Sequence, residues 1–92
     1  MTLRELEKIY RALGGRKRLE ILKLLSSGKE YTVGDIAKSI RLSFKSTSKH
    51  LIILRQVGFL ERRQAGYVGL YSLDEHLTSI LKGLLEQVRK AP

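Results

Sequence analysis

Apolar residues recur at helical spacing from the first turn of the chain. Leu3, Leu6, Ile9, Tyr10 and Leu13 share one side of a helix, and Thr2 with Glu5 has the spacing of a capping box before it. Gly14-Gly15 ends that helix. A second spans about residues 16–26, with Leu19, Leu22 and Leu25 or their close neighbours inward and Ser27-Gly28 as its stop. Thr32 and Asp35 open a short third helix, Val33 to Ile40, whose apolar positions are Val33, Ile36, Ala37 and Ile40. After the joint Arg41-Leu42-Ser43, a fourth helix runs from about Phe44 to Val57, and Gly58 is a suitable left-handed stop. Two short helices with a tight polar joint form a helix-turn-helix.

The period then changes. Phe59 to Gln64 and Tyr67 to Leu73 read as strands around Ala65-Gly66, a hairpin with β-branched and aromatic residues in its second arm. Asp74 is the expected cap of a last helix in which Leu77, Ile80, Leu81, Leu84, Leu85 and Val88 form one apolar stripe. The predicted class is mainly α with a small β-hairpin: a winged helix-turn-helix with an additional helix at each end. Residues 1–92 read as a single domain, with 33–57 the helix-turn-helix, 59–73 the wing, and 1–13 and 74–90 the helices available for dimerisation.

Size makes a partner attractive. A chain this short buries only about 60 to 65% of the surface it exposes when unfolded. It has no cysteine, so neither a disulfide nor a thiolate–metal site supplements the core, and no thiol-redox signal passes through it. A subunit interface is the remaining source of stability. The polar start carries no secretory signal, and no apolar run approaches the roughly 18 residues that span a bilayer. A cytoplasmic protein without a membrane partner is expected.

Charge adds a direction. Of the net +9, the stretch from Lys38 to Arg63 holds +6: Lys38, Arg41, Lys45, Lys49, Arg55, Arg62 and Arg63 against Glu61 alone. A polyanion-binding surface follows, with nucleic acid the commonest polyanion. At about 100° per residue, Phe44, Thr47, Leu51, Leu54 and Val57 occupy one arc of the fourth helix and are expected in the core. Lys45 and Lys49 lie on the opposite side, flanked by Ser46 and Ser48, and Ser43 is placed to cap the helix. The exposed N-terminal half is short, polar and cationic, as a helix entering a major groove requires. Ser43, Lys45, Ser46, Ser48 and Lys49 are therefore candidates for base-edge or phosphate contact. Ile52 and Ile53 flank that face, either to meet thymine methyls or to pack on the wing.

In the hairpin, Arg62, Arg63 and Tyr67 are candidates for backbone or minor-groove contact, the alternative being a solvated strand face. Arg16, Lys17 and Arg18 begin the second helix, where its dipole disfavours cations, which hints at an external anion such as a flanking phosphate. No Gly-rich phosphate loop, grouped carboxylates or paired histidines suggest an enzyme.

From about Leu13 to Leu73 the chain resembles the ArsR/SmtB family of winged-helix repressors. The run Ala12-Leu13-Gly14-Gly15-Arg16-Lys17-Arg18-Leu19-Glu20-Ile21-Leu22 is similar to the family's opening motif. Leu42-Ser43, Ser48-Lys49-His50-Leu51, Leu54 and Gly58-Phe59-Leu60 resemble its recognition helix and the exit into the wing, and Gly66 with Tyr71-Ser72-Leu73 its wing. The resemblance implies a homodimer held by the first and last helices, through Leu3, Leu6, Tyr10, Leu77, Leu81, Leu84, Leu85 and Val88, although those stripes also suit an intrachain core. It implies a sequence-specific repressor of double-stranded DNA, with a packing or phosphate role for His50.

Metal-sensing members carry ligand sets at two places, and this chain completes neither. The third helix reads Val33-Gly34-Asp35-Ile36-Ala37 without a thiol. Asp74 and His76 match one ligand pair, but Gln87 and Lys90 stand at the other, and a lysine repels a cation. No metal and no cofactor are expected, and no inducer is named by the sequence. A weakly specific architectural DNA binder and a protein-interaction winged helix are the alternative readings.

Overall fold

The computed structural model describes all residues from Met1 to Pro92. Three of its first four helices start where a hydroxyl satisfies an orphan amide. α1 (Leu3–Leu13) starts at Thr2, which accepts from the Glu5 amide at 3.1 Å. α2 (Arg16–Leu25) has no side-chain cap. The two-residue strand β1 (Tyr31–Thr32) leads directly into α3 (Val33–Ile40), where the Thr32 hydroxyl accepts from the Asp35 amide at 3.1 Å. α4 (Phe44–Gln56) begins after Ser43, whose Oγ accepts from the Ser46 amide at 3.1 Å. The wing is β2 (Leu60–Ala65) and β3 (Val68–Leu73), followed by α5 (Ser79–Lys90). No helix is long and apolar enough to cross a membrane.

Two left-handed residues set the direction of the chain around α4. Arg41, at φ 56°, closes α3 with bonds from its own amide to the Lys38 carbonyl and from Leu42 to the Ala37 carbonyl. Gly58, at φ 96°, closes α4 in the same way through Arg55 and Leu54. A Cβ at Gly58 would also stand 3.3 Å from Leu81 Cδ1, so glycine lets α5 come close to the end of α4.

The core gathers around α2. Ile21, Leu22 and Leu25 are fully buried, and α2 packs against α1, α3, α4, α5 and β3. Ile36 and Ile40 from α3, Leu51 and Leu54 from α4, and Phe59, Leu60 and Tyr71 from the wing complete it. Three α2 cations bond the C-terminal carbonyls of three other helices. Lys17 donates to Ile40 of α3, Arg18 to Ala12 (2.6 Å) and Arg11 (3.2 Å) of α1, and Lys23 to Arg89 and Ala91 at the end of α5. These are the negative ends of helix dipoles. The external-anion reading of Lys17 and Arg18 is thereby replaced by an internal one.

Several expectations need correction. The sheet has three strands in the order β1-β3-β2, because Tyr31 and Thr32 pair with Tyr71 and Leu70. The wing turn is Gly66-Tyr67, since Ala65 pairs with Val68; Gly66 takes φ 63° at its first central position. α5 starts four residues later than expected, capped by Thr78, while Asp74 instead accepts from the His76 amide at 2.7 Å in a turn. Leu77 lies in the connection before α5, packed against the core. Leu81 and Leu85 are 3% and 4% exposed within one chain, so they belong to its core and have nothing left to bury in a partner. Phe44 is 63% exposed: at the first position of α4 it lies beyond the packed arc that holds Thr47, Leu51 and Leu54.

Thr47 is the one buried polar side chain, and its hydroxyl has no partner. Burying an unpaired hydroxyl is unfavourable, and valine has the same branched shape. Thr47→Val is expected to stabilise the protein by about 1 kcal/mol, raising its melting temperature by about 5 °C at fixed protein concentration. A lower melting temperature would show that the hydroxyl is bonded.

Candidate nucleic-acid interface

The outer side of α4 is built by its cap. With Ser43 engaging the Ser46 amide, the amides of Phe44 and Lys45 remain outside the helix ladder and point along the axis toward solvent. Lys45 and Lys49 are exposed on the side opposite Leu51 and Leu54, and Ser46 and Ser48 are half-buried beside them. Neither lysine forms an ion pair within the chain, as the acidic side chains are engaged or located elsewhere. Ile52 is 49% exposed on the same outer side. Ile53 is turned toward a groove between α1 and α4 lined also by Lys8, Arg11, Arg18, Gln56 and Val57.

His50 does not join this face. Arg18 Nη1 donates to His50 Nδ1 at 3.0 Å, while the same guanidinium holds the end of α1. A guanidinium only donates, so the ring must accept at Nδ1 and carry its proton on Nε2. Burial, and next the Arg18 charge, hold the imidazole below its ordinary pKa of 6.5. Its role is to fix α4 against α1 and α2 rather than to reach a phosphate from the Lys45–Lys49 side.

The wing separates its three candidates. Arg63 makes a bidentate pair with Glu30, Nε to Oε2 and Nη2 to Oε1 both at 2.9 Å, bridging across β3. The Arg63 hydrogen bond is the main reason the Glu30 carboxyl lies below its ordinary range. Both groups are exposed, so the pair adds little stability, but it occupies the guanidinium. Arg62 points to the other face of β2 and lies over Gly69, where a Cβ would stand 2.5 Å from its Nη2. Tyr67 projects fully into solvent at the tip of the turn, with exposed Val68 beside it.

Ser43, Lys45, Ser46, Ser48 and Lys49 thus lie together at the cap and in the N-terminal half of α4. The tie of Arg63 to Glu30 and the exposure of Phe44 were not legible in the sequence pattern. The Ser43 cap was the available signal for Phe44, because a residue at the first helical position precedes the turn that packs.

Exposed apolar side chains remain on α1 and, separately, on α5. Leu3 and Tyr10 are 85% and 57% exposed on α1, with Leu6 half-buried in the same stripe, and Ile80 is 43% exposed on α5 beside half-buried Leu84. Nothing approaches the position of a Cβ at Gly83 on that flank of α5.

Because the folded state holds His50 neutral, unfolding takes up a proton as the pH falls past the ordinary histidine value. Stability is thus full above pH 6.5 and declines as the pH drops toward the lowered folded pKa. Urea unfolding from about pH 8 to about pH 5 should show that decline in the wild type and a flatter profile in His50→Gln. Identical pH slopes would contradict the assignment of Nδ1 as an acceptor held neutral by the fold.

Comparison with known proteins gives one consistent family. Residues 16–62 match the family described as bacterial regulatory protein, arsR family. The chain is 34% identical over 85 residues to a cadmium resistance transcriptional regulatory protein CadC homolog of Staphylococcus aureus, covering 90% of this chain and 70% of that protein. It is 35% identical over 69 residues to the transcriptional repressor SdpR of Bacillus subtilis, covering 75% of this chain and 76% of that one. Among solved structures it is similar to the homodimeric winged helix-turn-helix DNA-binding domain of Mb0332 from Mycobacterium bovis, a possible ArsR-family regulator. That likeness has a TM-score of 0.79 at 26% identity and covers 95% of this chain and 77% of that one.

Proposed function

The chain belongs to the ArsR family of bacterial regulatory proteins, and from that premise we propose that it is a homodimeric repressor binding a two-fold-related operator in double-stranded DNA. The observation that carries this reading is the outer N-terminal half of α4, where unpaired Lys45 and Lys49 stand beside Ser43, Ser46 and Ser48 and free helix amides. Such a surface suits the major groove: the lysines neutralise phosphates and the short hydroxyls allow the backbone close to base edges. Arg62 and Tyr67 extend the contact along the wing, whereas Arg63 must first leave Glu30. Residues 1–92 act as one unit, in the cytoplasm where such DNA is reached.

The dimer is assigned to the stripe of Leu3, Leu6 and Tyr10 on α1 with Ile80 and Leu84 on α5, supported by Leu77 and Val88 at its margin. Leu81 and Leu85 hold α5 in place from beneath. Gly83 gives the partner helix room for close approach. Two copies related by a two-fold axis then present two α4 helices to successive major grooves.

With about three phosphates neutralised per protomer, log affinity should fall against log salt with a slope of about −5. Replacing exposed Tyr10 and Ile80 together by glutamate should leave a folded monomer by light scattering. Its slope should fall to about −3, and its affinity for the same duplex by about hundredfold or more. A dimeric mass in that variant, or a wild-type slope near zero, would overturn the interface or the electrostatic reading respectively.

A further inference from the structure

Phe44 is the largest side chain on α4 that the fold leaves in solvent. It is 63% exposed, it is the first residue of the helix, and it contributes nothing to the buried arc of Thr47, Leu51 and Leu54. At 100° per residue it lies at the margin of the packed arc, about 20° from Leu51 and about 40° from Ser48, but at the N-terminal end of the helix where no neighbour covers it. A recognition helix meets base edges with its N-terminal residues. A phenyl ring therefore stands where the proposed operator would be read.

The chemistry of that ring restricts what it can read. It has no donor or acceptor, so against the N7 and O6 of guanine, the N7 and N6 of adenine or the N4 of cytosine it would remove water and return no hydrogen bond. The one apolar group on the major-groove edges of the four bases is the C5 methyl of thymine. Ile52 lies about 80° around α4 from Phe44 and about 12 Å further along its axis, farther from the end that enters the groove. We propose that Phe44 is a specificity-determining residue that selects a 5-methylpyrimidine, thymine in unmodified DNA, in each half of the operator. The proposal rests on the DNA-binding reading above.

The test uses the full chain and duplexes that it selects from a random library at near-physiological salt. In a selected duplex each thymine is replaced in turn by deoxyuridine, which deletes the methyl and keeps every hydrogen-bonding group. At one two-fold-related pair of positions the wild type is expected to lose about fourfold in affinity per half-site, about fifteenfold for both. Phe44→Ala, folded because the side chain is exposed, should bind the thymine and uracil duplexes equally, while Ile52→Ala keeps the difference. A uracil penalty that persists in Phe44→Ala, or that disappears in Ile52→Ala instead, overturns the proposal. So does equal binding of every uracil duplex by the wild type, in which case DNA binding itself still stands. Failure to select any duplex overturns the DNA-binding reading and the proposal with it.

Discussion

α2 holds the other elements by two physical means at once. Its apolar side, Ile21, Leu22 and Leu25, is completely enclosed by its neighbours. Its cations reach outward to the ends of those neighbours, Lys17 to α3, Arg18 to α1 and Lys23 to α5. Each ammonium or guanidinium meets carbonyls in the last turn or cap of a neighbouring helix, at the negative end of a dipole. The positive start of α2 is unfavourable for α2 alone but is compensated by the helices it joins. Arg18 also extends the arrangement to α4 through His50, so the helix that carries the candidate reading face is oriented from the same centre.

That centre is small, and this governs the remaining surface. Only 16 of 92 residues are buried, so apolar side chains of α1 and α5 are left over once α2 is covered. Leu3, Tyr10 and Ile80 are too exposed to be core, while Leu81 and Leu85 are too buried to be interface. α5 thus has two sides, one closing the protomer and one left exposed. In the homodimer proposed here, the same limitation that thins the core brings together two recognition helices.

The helix-turn-helix was legible because its signals are local. Thr32 and Ser43 cap α3 and α4 at the expected positions, and Gly58 ends α4 with a left-handed residue. What the sequence hid depends on distant partners. β1 is two residues long and exists only by pairing with β3. The roles of Lys17, Arg18 and Arg63 are set by groups 23, 32 and 33 residues away. Periodicity marked α5 as amphipathic but could not divide one apolar stripe between core and partner. Phe44 shows the same limit at a helix end, where angular position alone assigns a residue to the core before any neighbour is there to cover it.

If the shared centre at α2 orients both α4 and the dimer helices, the spacing between the two recognition helices is a property of the folded dimer. Hydroxyl-radical footprinting of the full chain on a selected duplex measures that spacing directly. Two equivalent protected patches are expected, related by two-fold symmetry and centred about 10 base pairs apart, one helical turn of the duplex. A single patch, or uniform protection without symmetry, would contradict that arrangement.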